Sequence, residues 1–175
     1  MSRICSCGAG MEKIRALLGS ALFFALAPGT VAGFVPWMVT QWRFGPAFLG
    51  EWTRLVGMAV LLAGLALLIE CFLRFALEGL GTPAPVAPTR HLVVSGSYRY
   101  VRNPMYVAVV SIVLGQALLF GSERLLLYGV IVWLCMHVFV VAYEEPVLRR
   151  TFGAEYENFR AHVPRWIPRL RAWTS

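Results

Sequence analysis

Four long apolar runs alternate with shorter polar segments along the chain. They cover roughly residues 16–40, 55–77, 104–121 and 125–143. A helix that crosses the hydrocarbon core of a bilayer needs about 20 predominantly apolar residues, and each run comes close to this length or exceeds it. The pattern therefore predicts an all-α polytopic membrane protein with four transmembrane helices.

The first run is the least regular of the four. Pro28 and Pro36 interrupt it, so it forms either one kinked helix or two shorter ones, and the number of helices is four or five. A cleaved signal peptide is an alternative, because Lys13 and Arg15 precede an apolar stretch that ends in small residues. The return of apolar residues after Gly29 favours a retained helix.

Composition and charge support a membrane location. Hydrophobic residues make up 58% of the chain and charged residues 14%, against about 45–50% and about 25% in soluble domains. The net charge of +7 fits a membrane surface better than a nucleic acid, because nucleic-acid modules cluster their basic residues on a polar body. Cys5 and Cys7 lack a second pair that would complete a metal site, so no metal is expected.

The positive residues predict the orientation. Thirteen of the sixteen lie in the N-terminal arm, around the second connection or in the C-terminal tail. Since positive residues beside transmembrane helices stay in the cytoplasm, both termini are expected on the cytoplasmic side of the plasma (inner) membrane. Residues 1–13 are expected to form a mobile arm, and residues 14–175 a single domain.

The third and fourth runs are predicted to form an antiparallel hairpin, because only residues 121–124 separate them. Asn103 and Pro104 are suited to the first positions of the third helix. Helical rise then places Asn103 to Tyr106 at the same depth as Glu144 and Glu145. This juxtaposition marks the cytoplasmic end of the hairpin as the candidate site.

The adjacent carboxylates of Glu144 and Glu145 repel one another and are costly at the end of a membrane helix. They either pair with Arg149 or Arg102, or bind a ligand that carries an ammonium or hydroxyl groups. His137 lies two helical turns before Glu144 on the same face. It is either a packed histidine or a general base.

The C-terminal segment predicts an amphipathic helix. Phe152, Tyr156, Phe159 and Val163 recur at steps of three and four residues, a spacing that suits a helix lying on the membrane interface. This helix is either a basic membrane anchor or part of a lid that folds back over the site. In the second case Arg165 faces the glutamates.

Five short motifs occur in a characteristic order: His-Leu-Val-Val-Ser-Gly-Ser-Tyr98, Arg-Asn-Pro-Met-Tyr106, Glu-Glu-Pro146, Phe-Gly-Ala-Glu-Tyr156 and Val-Pro-Arg-Trp-Ile-Pro168. In this order the second half of the chain resembles the integral-membrane methyltransferases that include isoprenylcysteine carboxyl methyltransferase and the phospholipid N-methyltransferases. Their cofactor is S-adenosylmethionine. The resemblance implies that residues 88–168 form the cofactor-binding half.

The resemblance also implies individual roles. The cofactor contacts would be Arg90, His91, Leu92, Val93, Tyr98, Asn103, Pro104, Met105, Tyr106, Glu144 and Glu145. Arg165 would contact the substrate, and His137 would be the catalytic base if the acceptor must lose a proton. Two positions depart from the isoprenylcysteine enzymes: Asn103 replaces a histidine, and Val140 replaces a substrate-binding arginine.

The expected function is methyl transfer from S-adenosylmethionine to a lipophilic or small membrane-soluble acceptor. A phospholipid N-methyltransferase is the alternative within the same class, because Asn-Pro-Met-Tyr and Tyr-Glu-Glu-Pro resemble that branch. A small membrane subunit without catalytic activity, serving assembly or transport, is the alternative from another class. The expected partners are the lipid bilayer and the acceptor, without nucleic acid.

Overall fold

The structure, a computed structural model, describes residues 26–78, 92 and 94–174. This part of the chain is helical, with no strand in the described ranges. The predicted N-terminal arm and the Cys5 and Cys7 pair lie outside the described residues. The prediction of an all-α fold is confirmed.

Five helices follow one another in the described residues, with one 3₁₀ turn between the second and the third. They are α1 (Leu26–Thr40), α2 (Trp52–Glu78), the 3₁₀ turn Gly96–Arg99, α3 (Pro104–Phe120), α4 (Glu123–Phe152) and α5 (Ala154–His162). Within α1 the residues Thr30–Phe34 form a π-turn, and within α4 the residues Val140–Glu144 form another. The sequence pattern predicted neither π-turn.

Two helices in the described residues have the length and composition to span a membrane. They are Trp52–Arg74 and Glu123–Phe152, each with a mean hydropathy of 2.4 over its most apolar window, of which only 22% is buried. Helices α1 and α3 are also apolar but shorter. Since α2 and α4 leave most of their apolar surface uncovered by protein, these two helices have the surface of membrane helices.

Helices α2 and α3 cross in an antiparallel manner at a contact made by glycines. A Cβ atom added to Gly57 would lie 2.6 Å from the backbone nitrogen of Leu119, and one added to Gly115 would lie 2.6 Å from that of Leu61. Gly64 faces the backbone of Ala108 in the same way. Small residues at such crossings let membrane helices approach to backbone contact.

Two residues of the short connection, Gly121 and Ser122, explain why α3 ends and α4 begins there. Gly121 ends α3 in the left-handed conformation (φ 65°), which glycine adopts without strain. The hydroxyl of Ser122 then accepts a hydrogen bond of 3.3 Å from the backbone N–H of Leu125 and caps α4. The predicted antiparallel hairpin therefore has the turn that its sequence indicates.

The π-turn of α1 is stabilised by side chains from the other helices. Pro36 has no N–H, so the carbonyls one turn earlier lack a backbone donor. Gln116 of α3 donates to the carbonyl of Ala32 over 2.7 Å, and Tyr128 of α4 donates to the carbonyl of Val31 over 3.0 Å. The described part of the first apolar run is thus a single helix held against the hairpin.

Substitution of the glycine at the centre of the α2–α3 crossing should destabilise the protein. The added methyl of Gly115→Ala has no room, and overpacking of this kind costs about 1–3 kcal/mol. We expect the thermal unfolding midpoint in detergent to fall by about 3–10 °C. Gly33→Ala is the matched control, because nothing lies within 4 Å of a Cβ added there. An equal effect of both substitutions would contradict the close crossing.

Candidate functional site

Glu145 is a buried carboxylate that joins three parts of the chain. Arg165 of the C-terminal tail donates to it twice, from Nε to Oε1 over 2.6 Å and from Nη2 to Oε2 over 3.0 Å. Arg102, which precedes α3, donates from Nη1 to Oε1 over 3.2 Å. The hydrogen bonds to Glu145 raise the pKa of Arg165. Glu145 is therefore neutralised within the protein.

Glu144 has a different environment. Its side chain is half-buried, and the hydroxyl of Tyr106 donates to its Oε2 over 2.9 Å. Among the described residues no arginine or lysine pairs with Glu144, although two pair with its neighbour. A carboxylate that has a hydrogen bond from a neutral hydroxyl and no cationic partner in the described part of the chain keeps acceptor capacity for a ligand.

A cavity of about 80 Å³ lies beside the two glutamates. It is lined by residues from the loop before α3, from α4 and from α5, namely Leu92, Tyr98, Arg102, Asn103, Val140, Glu144, Glu145, Leu148, Tyr156 and Phe159. Five of the predicted cofactor contacts are in this set. The fold thus brings the loop and the end of the hairpin together.

Proline places the glutamates at the end of a π-turn. Pro146 follows the π-turn of α4 by two residues, as Pro36 follows that of α1. Both prolines remove an N–H that a regular helix would use, and π-turns are frequent at functional sites. A proline inside the first apolar run, and another directly after the fourth, was the sequence signal for these irregularities.

Tyr98 reaches the cavity from the 3₁₀ turn. The turn is attached to α2 because the hydroxyl of Ser97 donates to Glu70, which also pairs with Arg74. Burial raises the pKa of Tyr98 well above its ordinary value, so its hydroxyl stays neutral. Gly96 adopts a positive φ of 53° at the start of the turn, a conformation that suits glycine.

The start of α3 carries the other predicted contacts. Asn103 occupies the N-cap position, but its side chain makes no capping hydrogen bond. Its amide instead donates to the carbonyl of Arg165 over 3.2 Å, so it holds the tail. Pro104 is buried at the first turn, and Met105 packs against the apolar core.

The tail covers the site. The backbone N–H of Arg102 donates to the carbonyl of Pro164 over 2.9 Å, beside the ion pair of Arg165. The apolar face of α5 packs on the protein itself, in a cluster of Tyr156, Phe159 and Val163. Because the protein already covers this face, the arrangement favours a lid over a membrane anchor.

His137 lies outside the cavity, in an aromatic cluster. The indole N–H of Trp166 donates to its Nδ1 over 3.0 Å, and the ring of Trp133 lies 5.4 Å from the imidazole between centroids. An indole nitrogen can only donate, so neutral His137 carries its own proton on Nε2. The π-turn between His137 and Glu144 also breaks the regular register that placed them on one face.

Three predicted contacts, Arg90, His91 and Val93, lie outside the described residues. The expected ion pair of Arg102 with the glutamates is confirmed for Glu145. The sequence reasoning gave Arg102 no role toward a ligand, and it did not assign Tyr156 or Trp166 to the site. Arg102 directly precedes the Asn-Pro-Met-Tyr motif, and this adjacency was the available signal. The positions of Tyr156 and Trp166 depend on the return of the tail over the hairpin, which the sequence analysis left as one of two alternatives.

The helices and the charged cavity define an all-helical integral membrane protein with a polar site at one end of a helical hairpin. Comparison with known families makes the assignment specific. The model of the phospholipid methyltransferase family matches residues 52–155, which is more than half of the chain and includes the cavity. The chain belongs to this family.

A curated relative is the protein-S-isoprenylcysteine O-methyltransferase of Schizosaccharomyces pombe. The two sequences are 37% identical over 78 residues, which are 44% of this chain and 33% of the relative. The match thus spans about a third of the relative's length. Both comparisons agree with the methyltransferase resemblance found in the motifs.

Loss of the Arg165 side chain should loosen the tail. Each charge-assisted hydrogen bond contributes about 1.5–3 kcal/mol, so Arg165→Gln should expose the tail at least roughly tenfold more often. We expect correspondingly faster chymotrypsin cleavage next to Trp166 in the solubilised protein. Arg171→Gln, at an exposed position of the same tail, is the control. Identical cleavage rates for the two variants would show that the ion pair does not hold the tail.

Proposed function

We propose that this protein transfers a methyl group from S-adenosylmethionine to a lipophilic acceptor. The observation that carries the proposal is Glu144, a half-buried carboxylate that lines the cavity and has no cationic partner among the described residues. An ammonium group or ribose hydroxyls would satisfy it. The family assignment and the S. pombe relative support the same reaction class.

The residues around the cavity fit one end of this cofactor. The cavity of about 80 Å³ is smaller than the roughly 300–1,000 Å³ of complete small-molecule sites, so the rest of the cofactor would lie along the loop before α3. Arg90, His91, Leu92 and Val93 are predicted to line that part. Tyr98, Asn103 and Tyr106 would contact the cofactor beside Glu144 and Glu145.

Bound S-adenosylmethionine supplies an electrophilic methyl group on a sulfonium. The chain has to align this group with the acceptor and exclude water. The tail serves the second purpose, because Arg165 and Trp166 attach it over the glutamates and His137. Arg165 is also the residue proposed to contact the acceptor, from its position at the edge of the site.

The base role of His137 stays a prediction. Nδ1 accepts the hydrogen bond of Trp166, so His137 can take a proton there only after this bond breaks. A carboxylate acceptor needs no base, whereas an amine or a thiol must lose a proton. The observed hydrogen bond therefore supports a carboxylate acceptor, and the name of the S. pombe relative, an O-methyltransferase, likewise indicates transfer to oxygen in that protein.

All four apolar helices are proposed to cross the bilayer, with both termini and the cavity on the cytoplasmic side of the plasma membrane. The positive-inside rule supports this orientation, because thirteen of the sixteen positive residues belong to the segments expected on the cavity side, whereas Arg43, Arg54 and Arg124 belong to the connections on the other side. A soluble donor would then enter from the cytoplasm. A lipophilic acceptor would enter from the membrane.

Removal of the Glu144 charge should weaken cofactor binding. Hydrogen bonds to charged groups contribute about 1.5–3 kcal/mol, so Glu144→Gln should raise the Kd for S-adenosylhomocysteine roughly tenfold or more. Isothermal titration of the solubilised protein measures this. Glu157→Gln, which alters an exposed carboxylate paired with Arg149, should bind as the wild type does. Absence of binding to the wild type would overturn the proposed function.

The class of acceptor can be measured in membranes that contain the protein. We expect label from methyl-labelled S-adenosylmethionine to enter the lipid-soluble fraction and to be released as methanol by mild alkali, since methyl esters hydrolyse there. Alkali-stable label in ethanolamine lipids would identify the phospholipid N-methyltransferase instead. Absence of incorporation, together with unchanged growth of a Glu144→Gln strain, would favour the noncatalytic subunit.

A further inference from the structure

Two arginines approach the single carboxylate of Glu145, which needs only one of them. Arg165 already forms a two-point contact with both carboxylate oxygens, at 2.6 and 3.0 Å. Arg102 adds a longer contact of 3.2 Å to one of these oxygens. With Glu145 neutralised by Arg165, the described residues offer no second carboxylate that pairs with Arg102, and its positive charge is in excess among them.

Arg102 also has an unsatisfied donor. Its side chain is only 9% exposed, and its buried Nε has no hydrogen-bond partner among the residues that the structure describes. A buried donor without a partner costs about 1–3 kcal/mol, and more when it is charged. The Nε of Arg54 also lacks a partner, but Arg54 does not line this cavity. Arg102 does line it, so an acceptor group on a ligand could complete its hydrogen bonds.

The positive charge of Arg102 and the negative charge of Glu144, which has no cationic partner among the described residues, lie beside the same small cavity. Arg102 and Glu144 line the same cavity of about 80 Å³, which has room for two or three groups the size of a water molecule. A ligand end that carries both a carboxylate and an ammonium would satisfy both residues at once. An α-amino acid group has this combination of charges within this size.

We propose that Arg102 binds the carboxylate, and Glu144 the ammonium, of the amino acid end of the methyl donor. This inference rests on the proposed function and adds the orientation of the donor, with its amino acid end in the cavity and its adenosine toward the loop before α3. Arg102 is then a binding residue that recognises the donor.

The neighbouring hydroxyl supports this position of the guanidinium. Arg102 donates from Nη1 to the hydroxyl of Tyr156 over 3.3 Å. Burial raises the pKa of Tyr156, so this neighbour remains a neutral acceptor and does not neutralise the arginine. The contacts to Glu145 and Tyr156 both use Nη1, which leaves the remaining donors of the guanidinium for a carboxylate.

The test compares S-adenosylhomocysteine with its decarboxylated analogue, S-adenosyl-3-thiopropylamine, which keeps the ammonium and lacks the carboxylate. Titration calorimetry gives the ratio of the two Kd values. We expect the wild type to bind S-adenosylhomocysteine roughly tenfold more tightly or better, as for one charge-assisted contact. In Arg102→Gln the ratio should fall to about one, because only the ligand with the carboxylate loses a contact.

Three further variants separate the outcomes. Arg149→Gln, which removes an arginine outside the cavity, should keep the wild-type ratio. Glu144→Gln should weaken both ligands equally, since both carry the ammonium. Arg102→Lys keeps a positive charge opposite Glu145 but lacks the planar guanidinium, so its ratio of Kd values should lie between one and the wild-type value. This variant replaces Arg102→Gln in the test if Arg102→Gln does not fold.

The outcomes distinguish this inference from the function on which it rests. If the wild type binds neither ligand, the proposed function fails. If the wild type binds both ligands with equal affinity, the function stands and the role of Arg102 is refuted. An unchanged ratio in both Arg102 variants, with or without a uniform loss of affinity, would also refute it, because Arg102 would then act only on the structure.

Discussion

The buried ion pair of Glu145 with Arg165 and Arg102 is the interaction on which the site depends. It connects the end of α4, the segment before α3 and the C-terminal tail, which are distant in sequence. A carboxylate buried to this degree is costly unless cationic partners surround it, and removal of a partner from such a pair costs about 3–5 kcal/mol. Arg165 supplies two of the three hydrogen bonds that this carboxylate accepts from arginines, so its contact with Glu145 holds the tail over the hairpin. The cover of the site and its charge pattern follow from this one interaction.

Two prolines each follow a π-turn, and the two π-turns have different roles in the structure. Pro36 and Pro146 each follow a π-turn by two residues, in α1 and in α4. In α1 the side chains of Gln116 and Tyr128 supply the missing donors, so the irregularity fastens that helix to the hairpin. In α4 the turn ends at Glu144, which lines the cavity. The π-turn before a proline thus contributes to helix packing in α1 and to the lining of the cavity in α4.

The sequence predicted those features that depend on length and spacing. The apolar runs located α2, α3 and α4, and the short connection at Gly121 placed Tyr106 at the depth of Glu144, where the two now share a hydrogen bond. Partner choice was predicted only in part. Arg102 and Arg165 were among the candidate partners, and both pair with Glu145. Arg149 was another candidate, but it pairs with Glu157, because helix rotation at the π-turn, which the sequence pattern did not predict, decides which arginine reaches the carboxylate. The same rotation separates His137 from the cavity, where Trp166 occupies its Nδ1.

A structure of the protein with S-adenosylhomocysteine in a lipid nanodisc is the measurement that tests the central claim most directly. We expect the amino acid end of the ligand between Glu144 and Arg102, with Tyr98 and Asn103 beside it and the tail closed by Arg165. A ligand bound instead at the opposite end of the hairpin, in the cavity of about 500 Å³ lined by Arg43, Phe120 and Arg124, would contradict the assignment of the site. So would a ligand at the expected end whose ammonium makes no contact with Glu144.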